Sequence, residues 1–312
     1  MNKTCIFCDG RVDSKEDIWP KWVLRFLKKS PDERVPMRAQ RYKERPKEWP
    51  TKDSALKIGN VCQECNNGWM SRLEDQIKPI LSPMILGNPV IVTPSQQERV
   101  TAWLTKCAMM FDSMDKGEVF YDVLDRQHFR KYVSPYSDTA AWLGHYAGNM
   151  GRAFADHRTL HTKFASGGSV KTHVLTMSMG QVVLQVVSIK RLEYLDLSPQ
   201  TDLQTNGPPL SDALVQIWPL NFREISWPPS VSFNDKECHL RFFCVPFRRR
   251  QGMKGTYLGG QFMTLPLAQP ASNEPITRTI SRRVAIRLLP PPLPKPLSPI
   301  ASGVMDTSPT LQ

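Results

Sequence analysis

The sequence has few histidines and no apolar stretch near the ~20 residues needed to span a bilayer. Six histidines occur in 312 residues, and none lies within the first 88. The HExxH, GxGxxG, GxSxG and Walker signatures are absent, so metalloprotease, nucleotide-binding and acyl-transfer chemistry have no local support. Because no apolar signal region precedes the first cysteine, we expect a cytosolic protein with reduced thiols and no membrane partner.

Four of the seven cysteines form two pairs with identical spacing. Cys5 and Cys8 form the first pair, and Cys62 and Cys65 form the second. A tight turn with this spacing directs two thiolates at one metal ion, and two such turns supply the four sulfur ligands of structural zinc. The alternatives are four unrelated buried cysteines or two disulfides, although a disulfide within Cys-x-x-Cys is strained. The sequence therefore predicts one structural Zn²⁺ ion.

The residues that follow the two cysteine pairs form two recognisable sequence segments. Residues 14–22 (SKEDIWPKW) follow the first pair, and residues 66–74 (NNGWMSRLE) follow the second. Together with the cysteines they resemble the zinc-bearing branch of the HNH (ββα-metal) endonuclease family, over residues 1 to about 85. In that branch a Glu-His-Ile/Val-x-Pro-x-Trp segment follows the first knuckle, and Cys-x-x-Cys-Asn opens a helix. Asp17 stands here at the position of the family's histidine.

The resemblance implies a ββα-metal, treble-clef module and a role for each of several residues. Glu16 would hold a catalytic divalent cation, Mg²⁺ or Mn²⁺, and Asp17 would stand at the position of the general base. Asn66 would be the helix-side ligand, with Asn67 as an alternative, and Asn60 would brace the ribbon. The implied activity is metal-dependent hydrolysis of phosphodiester bonds in nucleic acid, in DNA more than in RNA.

Asp17 is a weak base, because an unperturbed aspartate has a pKa of about 4. Repulsion from Glu16 could raise one of the two pKa values, or Asp17 could be a metal ligand beside an attacking metal-bound water. A third alternative is a site that has lost catalysis and kept its fold. Three hypotheses for the protein follow: an active or impaired nuclease, a zinc-stabilised nucleic-acid-binding protein without chemistry, and an interaction protein that does not bind nucleic acid.

The positive charge lies at the two ends of the chain. Residues 1–88 hold 17 Lys/Arg and 12 Asp/Glu, residues 240–312 hold 10 and 2, and the middle is nearly neutral. Segment 30–56 combines closely spaced basic residues with Tyr42 and Trp49, a composition that suits a phosphate backbone and its bases. A solvated loop is the alternative there. The net charge of +12 favours an anionic partner.

These patterns predict an α+β protein with three regions. Residues 1–88 would form the zinc-binding HNH-like module, and residues 89–246 a mixed α+β domain of unknown role. Residues 247–312 would be a basic, proline-rich tail, extended or disordered, since ten of the 27 prolines lie in 266–312.

Local patterns predict several elements of the first two regions. Apolar spacing predicts a helix whose start is a capping box between Ser95 and Glu98. Pro79 predicts a kink or an end in the helix that follows the second cysteine pair. The β-branched segments 172–179 and 181–189 predict a hairpin.

His157 and His161 are four residues apart, as two metal ligands on one helical face would be. The glycines at 151, 167 and 168 favour a loop around them. We therefore expect a surface or core role for both histidines.

Overall fold

A computed structural model of the chain describes residues 3–27, 35–41, 47–51, 57–114, 119–135, 138–148, 153–163, 169–191, 214–220, 222–234 and 254–265. The N-terminal elements are β1 (Ser14–Asp17), α1 (Lys21–Leu27), β2 (Val35–Arg41), β3 (Lys47–Thr51) and β4 (Lys57–Val61). They are followed by α2 (Gln63–Cys65), a π-helical turn (Asn66–Met70) and α3 (Ser71–Ile85).

The rest of the described chain forms two helices and eight strands. They are β5 (Val90–Val92), α4 (Pro94–Asp112), α5 (Val123–Tyr132), β6 (Thr139–His145), β7 (Ala153–Lys163), β8 (Ser169–Met179), β9 (Val182–Arg191), β10 (Leu214–Trp218), β11 (Ile225–Trp227) and β12 (Lys254–Leu265). The mixture of helices and antiparallel strands confirms the predicted α+β class. No helix in the described part of the chain combines the length and apolarity needed to cross a membrane.

The main sheet has eight antiparallel strands in the order β10-β6-β9-β8-β7-β12-β2-β3. Two short ribbons, β1–β4 and β5–β11, lie outside it. The predicted β8–β9 hairpin is confirmed, and it turns at Gly180, whose φ is 54°. A Cβ there would lie 2.3 Å from the Ile85 carbonyl oxygen, so the close approach of α3 requires glycine.

Both faces of the central strands are covered. Every residue of β8 is buried, and the face that carries Leu175 and Met177 belongs to one apolar core with α3 and α4. The opposite face has a separate apolar cluster around Trp142 and Phe154. A strand buried on both faces explains the nearly continuous apolar sequence of β9 (VVLQVVSIKR).

Two helix predictions need correction. Helix α3 does not end at Pro79 but continues through it and through Pro83, because its buried side chains, among them Leu73 and Ile77, keep it packed on the core. The capping box of α4 is Thr93–Gln96 rather than Ser95–Glu98. Pro94 explains the difference, since proline is favoured at the first helical position and the residue before it becomes the cap.

The sheet and the core extend across the predicted region boundaries. Segment 30–56 contains β2 and β3, which form an antiparallel pair rather than a loop, and β12 lies between β2 and β7. Strand β12 falls within the predicted tail, and residues 266–312 lie outside the described residues. The apolar core includes Phe7 and Trp69 as well as Phe129, so it is continuous across residue 88. The division into three regions stays a prediction.

Candidate metal centre

Each cysteine pair lies in a turn held by backbone hydrogen bonds. In the first turn the Cys5 N–H donates to the Gly10 carbonyl at 2.8 Å, and the Gly10 N–H donates to Cys8 Sγ at 3.4 Å. In the second, the Cys65 N–H donates to Cys62 Sγ at 3.4 Å. N–H groups that point at sulfur stabilise the thiolate form, which is the form that binds metal.

The four sulfur atoms converge on one point. All lie within 4.8 Å of one another, and Cys8 Sγ is 3.5 Å from Cys62 Sγ and 3.6 Å from Cys65 Sγ. Zinc bound tetrahedrally at about 2.3 Å from each sulfur would place the sulfurs about 3.8 Å apart. The cluster predicted from Cys5, Cys8, Cys62 and Cys65 is therefore confirmed, and it can bind a metal ion such as zinc.

Aromatic rings and a guanidinium surround the sulfurs. Trp69 packs edge-on against the fully buried Phe7 at 5.0 Å and against Phe129 of α5 at 5.7 Å between ring centroids. Arg130, next along α5, donates to Glu64 Oε1 at 2.8 Å. Burial acts to lower the pKa of Arg130, but the nearby Cys65, Cys8 and Glu64 outweigh it and raise that pKa. Burial raises the pKa of the Cys65 thiol.

The β1–β4 ribbon lies beside this cluster and is tied to the helix that follows. The Asn66 side chain donates to Ser14 Oγ at 2.7 Å and to the Lys15 carbonyl at 3.3 Å. The Asn60 side chain donates to Ser113 Oγ at 2.5 Å, whereas its buried Oδ1 has no hydrogen-bond partner among the described residues. Both asparagines therefore fasten the ribbon to helical elements, Asn66 through the π-helical turn before α3 and Asn60 through Ser113 at the end of α4.

Glu16 belongs to a buried cluster that short-range motifs do not reveal. Its Oε1 accepts a hydrogen bond from Lys106 Nζ at 2.6 Å, and the same ammonium donates to Glu74 Oε1 at 3.0 Å. We call Glu16, Glu74 and Lys106 the ion cluster. Strand β1 supplies the first residue, α3 the second and α4 the third. One cation thus faces two carboxylates inside the protein.

The ion cluster perturbs its own titration. Burial acts to lower the pKa of Lys106, but the charges of Glu16 and Glu74 outweigh burial and raise it, so the ammonium stays charged. Burial is also the largest influence on Glu74, and together with repulsion from Glu16 it raises the pKa of Glu74 despite attraction to Lys106. A charged lysine is the more notable because every residue from 100 to 112 is buried. A lysine in that apolar helix was the sequence signal that pattern analysis missed.

The predicted base lies on the other side of the strand. Asp17 is half-buried and stands opposite Lys57 in the ribbon, whereas Glu16 stands opposite the buried Ile58. The two acidic neighbours therefore point to opposite faces of β1, as strand geometry requires. The structure places Glu16 against Lys106, and Asn66 against Ser14.

The histidines lie outside this module. His157 and His161 belong to strand β7 rather than to a loop, which corrects the expectation drawn from the glycines. His157 and His173 are fully buried on one face of the sheet, with ring centroids 5.7 Å apart. Among the described residues neither ring nitrogen of His173 has a hydrogen-bond partner, and burial lowers its pKa to about 3.

Comparison with protein-family models, with curated proteins and with solved structures finds no match to this chain. The HNH-like resemblance therefore rests on the cysteine pairs and the residues next to them.

Proposed function

We propose that the chain is a zinc-stabilised nucleic-acid-binding protein of HNH type whose hydrolytic centre is impaired. The observation that carries the proposal is the 2.6 Å contact between Lys106 Nζ and Glu16 Oε1. In HNH nucleases the corresponding carboxylate would hold a divalent cation. A cation brought to Glu16 would meet an ammonium already in place, and repulsion in a buried site is strong.

The arrangement of the module supports the HNH-type part of the proposal. Two antiparallel strands, β1 and β4, precede a helix in the order that the ββα-metal module requires. The four cysteines would hold structural zinc at the junction of ribbon and helix. Binding of such an ion contributes on the order of 10 kcal/mol to the folding of small zinc modules.

Surface charge supports nucleic acid as the partner. Among the described residues before position 89, eight exposed side chains are basic and four are acidic. The basic ones are Lys3, Arg11, Lys15, Lys21, Arg25, Lys57, Arg72 and Lys78, and the acidic ones are Asp9, Asp13, Glu64 and Asp75. Such an excess attracts a polyphosphate backbone and makes binding dependent on salt. Contact through segment 30–56 and a cytosolic location stay predictions.

Metal-dependent hydrolysis is the second candidate function. Asp17 is half-buried, with its Oδ1 buried, on the side of β1 that carries the exposed Lys15. Here Mg²⁺ or Mn²⁺ would stabilise charge on the scissile phosphate, and Asp17 would accept a proton or join the ligands. This activity would require Glu16 to be released from Lys106.

Binding and cleavage of duplex DNA test the proposal together. We expect wild-type protein to bind with affinity that falls steeply as salt increases, and to leave plasmid intact in Mg²⁺ and in Mn²⁺. Absence of salt-dependent binding to both DNA and RNA would refute the nucleic-acid role. The variant Asp17→His separates the causes of impairment. Cleavage raised by roughly 10² to 10⁴ would mean that only the base was missing, and would contradict the effect assigned to Lys106.

A further inference from the structure

The exposed side of the β1–β4 ribbon has an irregularity in its pairing. Ser14 stands opposite Val61 and Glu16 opposite Ile58, so two steps along β1 correspond to three along β4. The extra residue is a β-bulge at Gly59–Asn60, opposite Lys15. A bulge redirects side chains, and here Asn60 reaches Ser113 in the interior while Gly59 faces solvent.

The fold itself gives no steric reason for glycine at position 59. A Cβ added there would meet Lys15 Cγ at 3.7 Å, an ordinary van der Waals contact, and φ lies outside the left-handed region. Glycine within a strand lowers stability relative to residues with a side chain, and it often marks close approach by a ligand or another backbone. Gly59 contrasts with Gly180, where a Cβ would collide with the backbone of Ile85 at 2.3 Å.

The neighbours of Gly59 indicate which ligand would approach. Lys15 and Lys57 are both exposed, one on each strand of the ribbon, and Lys15 lies alongside Gly59. The acidic residue on this side of β1 is Asp17, which is half-buried and stands opposite Lys57. Two ammonium groups beside an uncovered stretch of backbone suit a phosphate-bearing chain: lysines neutralise the charge, and backbone N–H groups bind oxygen.

We propose that the ribbon face formed by Lys15, Lys57 and Gly59 is where the sugar-phosphate backbone of a nucleic acid contacts the protein. The proposal rests on the proposed function and specifies its surface. Gly59 acts by lacking a side chain, so that phosphate can approach the strand, while the lysines supply charge.

The test compares Gly59→Ala with a double variant, Lys15→Ala/Lys57→Ala, in the full-length chain. Binding of a fluorescent duplex DNA is measured by anisotropy over a range of salt concentrations, and stability by thermal unfolding. We expect Gly59→Ala to weaken binding by about tenfold, as loss of a charged hydrogen bond would, with an unchanged or slightly higher Tm. The double variant should flatten the plot of log K against log salt by about 1.8 in slope. Lys131→Ala, on the exposed surface of α5 and outside the ribbon, is the charge control and should bind DNA within twofold of wild type.

The measurements of DNA affinity and of Tm together distinguish a lost contact from a damaged fold. Weaker binding together with undiminished stability cannot come from misfolding. If Gly59→Ala binds as wild type does, the close approach is wrong even if the lysines matter. If the double variant keeps the wild-type salt slope, the face is wrong. If wild type binds no nucleic acid, the proposed function is wrong and this proposal is wrong with it.

Discussion

The β1–β4 ribbon is fastened to the rest of the protein at two places that differ in what they need from outside the chain. At the cysteine cluster, four thiols require a metal ion to become a stable centre. At the ion cluster, Lys106 supplies the cation itself, 90 residues along the chain from Glu16. The first attachment depends on metal supply, whereas the second depends on the correct packing of α4. The ribbon is thus part of a larger core as well as part of a zinc module.

The largest effect should come from removing a metal ligand. We expect Cys62→Ser to abolish binding of about one zinc ion per chain and to lower Tm for the whole protein, because Trp69 contacts Phe129 across residue 88. Metal analysis and thermal unfolding would measure both. Cys107→Ala is the matched control: that buried cysteine lies outside the cluster, so zinc content should stay at wild-type level. Selective unfolding of residues 1–85 alone would show that the two regions are independent.

The next effect should come from removing the internal cation. Lys106→Met leaves the buried Glu16 and the partly buried Glu74 without a counter-charge, and we expect a loss of about 3–5 kcal/mol in the free energy of unfolding. Urea denaturation would measure it. The triple variant Glu16→Gln/Glu74→Gln/Lys106→Met removes all three charges and should recover most of the loss. A single variant as stable as wild type would mean that the ion cluster does not hold the ribbon.

The pH dependence of the single variant sharpens this test. Burial already raises the pKa of Glu74 above its ordinary value, so Glu74 binds a proton at higher pH in the folded state than in the unfolded state. For such a group, stability increases as pH falls through the folded pKa towards the unfolded value. Without Lys106 the increase should be larger, and Lys106→Met should regain stability in acid relative to wild type.

A third, smaller effect is the pH dependence of stability that arises from two buried groups, one on each face of the main sheet. The pKa of His173 is lowered to about 3 by burial and by the charges of Arg126 and Lys171. Stability is then lost as pH falls from the unfolded value of 6.5, by roughly 3 kcal/mol at pH 4.5. The pKa of Asp156 is raised to about 7 by burial, so its contribution increases over nearly the same interval.

The contributions of His173 and Asp156 to stability change with pH in opposite directions, so they should nearly offset one another in wild-type protein. Asp156→Asn should therefore reveal an acid-sensitive fold, and His173→Phe should remove that sensitivity again. Urea titrations between pH 4.5 and 7 would measure both slopes. An Asp156→Asn variant with the wild-type pH profile would show that His173 is solvated in the folded protein.

The smallest effect should come from the rim of the metal centre. Arg130→Ala removes a cation beside Cys65 and Glu64, and we expect zinc affinity to fall about 10- to 100-fold, as outer partners of metal ligands typically contribute. Because the Arg130–Glu64 pair is exposed, stability of the zinc-bound protein should change by less than about 1 kcal/mol. Chelator competition measures the affinity, with Arg72→Ala as the control. Equal zinc release from both variants would exclude a role for Arg130.

Short-range spacing accounts for what could be predicted. The paired cysteines, the apolar stripe of α4 and the β8–β9 hairpin each depend on residues close in sequence, and each is present. The ion cluster joins three elements that only the packed core brings together, so no local pattern predicts it. Strands β2 and β12 pair across more than 200 residues of sequence, so local patterns in segment 30–56 do not predict this pairing. The thermodynamic advantage of burying α3 likewise overcame the local signal of Pro79.

The position of β12 between β7 and β2 has a consequence for biosynthesis. Strand β2 ends at residue 41 and its partner β12 begins at residue 254, a separation of 213 residues. At roughly 5–20 residues per second, a ribosome needs on the order of 10–40 s to make the intervening chain. During that interval the β2–β3 hairpin has left the exit tunnel without its neighbour, and its unpaired edge is open to chaperones or to other nascent chains. Synthesis of β12, in the last fifth of the chain, rather than metal binding, then sets when the eight-stranded sheet can close.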